Sequence, residues 1–243
     1  MTRLTRILVS LAALALVSAS VASAYVLLNP ARRWFPADLP RVVHVDNRGI
    51  ASIADADHGL SAALGAITVW NTTSLIVSGV AENVQTYTIG DGRSDVVFGD
   101  PFSICTGGCL AATYIASYDS SQKEYCDGLG VVRYTDADVA FNVLGHDFTS
   151  TGQTTCSNEY YVETVMSHEI GHVIGLAHSQ QTTALMYPFV TACDNKPIAA
   201  DDLAGRDALY DCSAWCDGSG ALCNSDSDCC SNKCRGTPKK CKG

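Results

Sequence analysis

Residues 168–178 read HEIGHVIGLAH, and this segment constrains the chain more than any other. His168 and His172 lie four apart, so on a helix both imidazoles leave one face and can grip one metal ion. Gly175 comes three residues later, where a helix can end in a left-handed turn that other residues resist. The chain can then swing back and let His178 supply a third nitrogen. Three neutral imidazoles are a ligand set for one Zn2+, with the fourth tetrahedral position left for water, as in catalytic rather than structural zinc sites. Glu169, beside the first histidine, can point at that water and has the chemistry of a general base. An accidental match of this pattern has a probability on the order of 10⁻⁵. His44, His58 and His146 are isolated and read as ordinary surface or hydrogen-bonded residues.

The spacing of apolar residues predicts mixed secondary structure around this segment. Leu60, Leu64, Ile67 and Trp70 mark one face of a helix over Asp57–Trp70. Asn158–Gly175 reads as a second helix, and Asp201–Tyr210 as a third with Asp201 or Asp202 as its N-cap. Short β-rich runs fall at Val42–Val45, Leu75–Val80, Asp95–Phe98, Ala111–Tyr118, Val131–Tyr134 and Ala137–Asn142. Strands spread around three helices suggest one α+β domain.

The ends of the chain differ from its middle. Arg3 and Arg6 precede an uncharged run from Ile7 to Val17, and Ala22-Ser23-Ala24 has the small-x-small pattern of a cleavage site. Residues 1–24 are therefore expected to be a secretory signal peptide, too short in its apolar run for a membrane span. Export would place the 12 cysteines in an oxidising compartment. The formal charge of −9 becomes −11 without residues 1–24, which argues against nucleic acid as a partner. Residues 25–211 carry 22 acids, 9 bases and five cysteines, whereas 212–243 carry 3 acids, 5 bases and seven cysteines. A domain over 25–211 and a small cysteine-rich module over 212–243 are expected. A hydrophobic content of 47% with 17% charged residues excludes a disordered chain.

HEIGHVIGLAH with Ser179, followed by Ala184-Leu185-Met186-Tyr187-Pro188, resembles the matrixin branch of the metzincin metallopeptidases. Asp201-Asp202-Leu203-Ala204-Gly205 through Leu209-Tyr210 is similar to the closing helix of that branch. The likeness is sharp over 160–211 and loose from Trp34 to Asn142. It implies a metzincin-like catalytic domain, a mixed twisted sheet with three helices, holding one catalytic Zn2+ on His168, His172 and His178. By the same likeness Glu169 is the general base, and Met186 and Gly175 support the site. Protein or peptide substrates would lie extended along an edge strand at Leu110–Tyr118, with Tyr187–Val190 walling the pocket for the residue after the cut. Relatives that hold a second, structural zinc place a histidine near that strand. This chain has Ala112-Thr113 there, so a second zinc is not expected. Ca2+ has no support beyond Asp100, Asp136 and Asp138, which read as solvated acids.

Cys216, Cys223, Cys229, Cys230, Cys234 and Cys241 belong to a unit too small to fold on apolar burial alone, and six cysteines allow 15 pairings. Their spacing resembles an inhibitor cystine knot, which implies Cys216–Cys230, Cys223–Cys234 and Cys229–Cys241. Among the others the expected pairs are Cys105–Cys109, Cys126–Cys156 and Cys193–Cys212. The mildly basic tail has the charge to dock on the acidic domain or to meet an external target. Two functions follow: a secreted zinc endopeptidase, or a secreted binding or inhibitor-type protein whose tail recognises a target and whose zinc domain is a scaffold. Glu169 and the open zinc position favour the enzyme.

Overall fold

A computed structural model describes residues 24–71, 74–126, 129–153, 155–211, 216–231 and 233–242. The expected signal peptide, apart from Ala24, and Cys212 lie outside the described residues. One α+β unit is built on a seven-stranded mixed sheet. Its strands are β1 (Arg32–Arg33), β2 (Arg41–Asp46), β3 (Val77–Glu82), β4 (Ser94–Val97), β5 (Ala111–Cys126), β6 (Leu129–Phe141) and, from the tail, a two-residue strand at Cys216–Asp217. The order is β3-β2-β4-β6-β5 and then the tail strand, with β1 also beside β6. β1 to β4 run parallel to their neighbours, and β5 runs antiparallel to β6.

The two expected strands at Val131–Tyr134 and Ala137–Asn142 are one strand. Thr135 and Asp136 read as a break because an acid is unfavourable in a strand, yet Asp136 is fully buried and its carboxylate accepts the Gly90 amide at 2.6 Å. β5 also runs beyond the expected Tyr118, through register shifts after Tyr114 and Asp119 that bend it. Only its far end has a second partner, where Glu124 and Tyr125 pair with Asp217 and Cys216. Among the described residues no strand covers the outer edge of Ala111–Tyr118.

Among the described residues three α-helices pack on the sheet: α1 (Leu60–Ile67), α2 (Val162–Val173) and α3 (Ala200–Tyr210). Between sheet and helices lies the main core, with Trp34, Trp70, Tyr134, Phe141, Met166 and Ile170 all buried. α3 begins one residue earlier than expected, and Asp202 sits inside its first turn rather than at the cap, accepting the Ala199 amide at 2.8 Å.

Disulfides join Cys105–Cys109 and, in the tail, Cys216–Cys230, Cys223–Cys234 and Cys229–Cys241. Cys156 pairs with Cys193, which excludes both Cys126–Cys156 and Cys193–Cys212. The segment after Met186 folds back over the start of α2 instead of reaching the end of α3. The Cys193 amide donates to Glu159 O at 2.8 Å, and Thr164 Oγ1 reaches Asn195 Oδ1 at 3.1 Å.

Candidate active site

α2 carries His168, Glu169 and His172, and its C-terminal end is held with unusual completeness. The last carbonyls of a helix have no partner within it. Here Trp34 Nε1 donates to Val173 O at 2.8 Å, Tyr210 Oη to Ile174 O at 2.8 Å, and the Leu28 amide to Gly175 O at 3.1 Å. Gly175 has φ +110°, and a Cβ there would lie 2.2 Å from Arg32 O. The left-handed turn and the close strand both require glycine at this point. The chain then returns, and His178 comes back over α2.

The ring nitrogens of His168, His172 and His178 form a group whose donor atoms all lie within 4.8 Å of one another. His168 Nδ1 lies 2.8 Å from Leu185 O, and His172 Nδ1 lies 2.8 Å from Leu176 O. A carbonyl can only accept, so both rings carry a proton on Nδ1, which leaves Nε2 as the nitrogen able to ligate. His172 Nε2 stands 3.3 Å from His178 Nε2. Burial, aided by His168, pushes the His172 pKa down to about 3 and also lowers that of His178. Three imidazoles gathered at one point, with burial favouring the neutral form of His172 and His178, are the donor set that zinc takes, so these residues fit the ion.

Glu169 is buried, and burial raises its pKa. Its Oε2 accepts a hydrogen bond from Thr113 Oγ1 of β5 at 2.6 Å. Met186 is buried against α2. A Cβ on Gly171 would stand 2.2 Å from Met186 Sδ, so this glycine lets the methionine approach α2. Asp202 fixes the turn from below, accepting the Leu185 and Met186 amides at 2.8 and 2.9 Å. The histidines open onto a cavity of about 740 Å³ between β5, α2 and the segment after Met186. Leu110–Thr113, Val165, Leu185, Tyr187–Val190 and Lys196 are among its walls.

Sequence reasoning missed the contact of Thr113 with Glu169 and the place of Lys196 in the cavity wall. Thr113 falls within the expected Leu110–Tyr118 strand, but a threonine in a strand carries no signal of its partner. Lys196 lies in a loop whose course depends on the Cys156–Cys193 bond. The other histidines are elsewhere: His44 faces Glu82, His58 meets Ile53 O and His146 meets Gly107 O. Asp136 and Asp138 are not solvated, since both are buried. Burial raises both pKa values, that of Asp138 to about 8.

Comparison with known proteins adds an independent line. The matrixin family model matches residues 83–211, more than half of the chain. Interstitial collagenase of Bos taurus is 40% identical over 57 residues, covering 24% of this chain and 12% of that protein. Metalloendoproteinase 5-MMP of Arabidopsis thaliana is 41% identical over 61 residues, covering 25% and 17%. Matrix metalloproteinase-23 of Rattus norvegicus is 48% identical over 48 residues, covering 20% and 12%. The likeness to these relatives thus spans well under a quarter of their length. From the family match and the fold together, the chain belongs to the matrixin family of zinc-dependent metalloendopeptidases.

Proposed function

We propose that this protein is a secreted zinc endopeptidase that cuts peptide bonds in protein substrates, with residues 1–24 as signal peptide, 25–211 as catalytic domain and 212–243 as a knot-like module. The observation that carries the reading is the set of three imidazoles, two with their protons held on Nδ1, beside a buried glutamate on a cavity at an open strand edge. His168, His172 and His178 would hold Zn2+, which when bound supplies Lewis-acid chemistry toward a peptide carbonyl and water. The substrate backbone lies extended along Ala111–Tyr118 and adds to the sheet as one more strand. Thr113 holds Oε2 of Glu169, which leaves Oε1 to take a proton from the attacking water and pass it to the leaving amine. Met186 and Gly175 keep the histidines in place, and Tyr187–Val190 walls the pocket for the side chain after the cut. The short pairing of Cys216–Asp217 with Glu124–Tyr125 supports a tail that docks on the catalytic domain.

The test is incubation of the mature protein with casein, gelatin and a peptide library, with metal analysis. Cleavage that stops with chelator and returns with Zn2+, at one zinc per chain, is the expected result. Absence of cleavage, or cleavage indifferent to chelator, contradicts the reading.

A further inference from the structure

Lys196 stands in the wall of the cavity that also holds the three histidines and Glu169. It is set firmly in place. Its amide donates to Thr164 Oγ1 at 3.0 Å, the neighbouring Asn195 is tied to the same hydroxyl, and the Cys156–Cys193 bond closes the loop three residues earlier. Its Nζ donates to Thr182 O at 2.9 Å and Phe189 O at 3.2 Å, and lies 5.0 Å from the centre of the Tyr187 ring. An ammonium has three hydrogens to donate, so one remains. Among the described residues no carboxylate pairs with it. The walls of the same cavity include Val165, Leu185, Tyr187 and Pro188. This arrangement suits a side chain with an apolar stem and an anionic tip.

We propose that the cavity walled by Tyr187–Val190 receives an acidic side chain of the substrate, with its carboxylate bound by Lys196 Nζ. The inference rests on the endopeptidase reading and names the substrate class for it: peptides with glutamate, and less favourably aspartate, directly after the scissile bond. Glutamate brings two methylenes to the apolar walls before its carboxylate. A charge-assisted hydrogen bond is about twice as strong as a neutral one, which discriminates glutamate from glutamine. The strongly negative charge of residues 25–211 does not defeat this. Exposed charges are screened over ~8 Å at physiological salt, while a partly buried cation in a cavity acts on its immediate neighbour.

Three peptides differing only in Glu, Gln or Leu after the cut test the proposal on wild type, Lys196→Met and Lys196→Arg. For wild type the expected kcat/KM for Glu exceeds that for Gln about tenfold. Lys196→Arg should keep that preference. Lys196→Met should bring the ratio near one while still cleaving the Leu peptide. A wild-type ratio of one or less, or a ratio unchanged in Lys196→Met, overturns the proposal. Calorimetric binding of the same peptides to Glu169→Gln separates it from the parent reading. No cleavage by wild type, with a binding preference for the Glu peptide retained in Glu169→Gln, strikes the endopeptidase and leaves the acidic pocket standing, whereas no binding preference overturns the pocket.

Discussion

Gly171 sets how closely Met186 approaches α2. Gly171→Ala puts a methyl group 2.2 Å from Met186 Sδ and 2.8 Å from Trp70 Cζ2, an overpacking that costs about 1–3 kcal/mol. Denaturant titration should show that loss, and zinc occupancy should fall with it. Thr113 acts on Glu169 from the sheet. Thr113→Val keeps the shape and removes the donor, so kcat should fall about tenfold with KM little changed, and Thr113→Ser should restore it. Asp138 gives a pH effect of definite sign. Its pKa is raised by burial from 3.8 to about 8, so the folded state binds a proton that the unfolded state has released. Stability therefore declines as pH rises from about 4 to about 8. Asp138→Asn should flatten that decline and raise the melting temperature at pH 8, in calcium-free buffer. At this scale the sequence displayed every histidine of the site and Glu169, because their spacing on a helix is itself the signal. Thr113 and Asp138 were illegible, since each acts through a neighbour distant in the chain.

Among the elements, α2 is the one whose ends matter most. Trp34 and Tyr210 supply side-chain donors to carbonyls that the helix leaves open. Trp34→Phe removes the donor to Val173 O in a buried place, at about 1–3 kcal/mol, measurable by thermal unfolding. The Cys156–Cys193 bond ties the pocket segment to the chain before α2 across 37 residues. A Cys156→Ser, Cys193→Ser double variant should lose about 2–4 kcal/mol and raise KM more than it lowers kcat. Helix positions were readable from apolar periodicity. The single long β6 was not, because an interior acid reads as a breaker, and the Gly90 amide that meets one oxygen of Asp136 comes from 46 residues away. The pairing of Cys156 was likewise hidden, because the return of the 187–196 segment over α2 is a tertiary choice.

At the scale of the whole molecule, the α+β class and the metzincin-like layout follow from the three helices that the described residues pack on a mixed sheet, with the Ala111–Tyr118 edge uncovered. That edge, the cavity and the three imidazoles meet in one place, beside the buried Glu169. The tail enters the same sheet through Cys216–Asp217, at the end of β5 away from the histidines. The central claim is that Glu169 moves the proton at a zinc centre held by His168, His172 and His178. Peptide hydrolysis by Glu169→Ala, with its zinc content measured alongside wild type, tests this most directly. The expected result is one zinc per chain in both proteins and a loss of kcat of about 10²–10⁴ in the variant. A zinc-loaded variant that cleaves at the wild-type rate would contradict it.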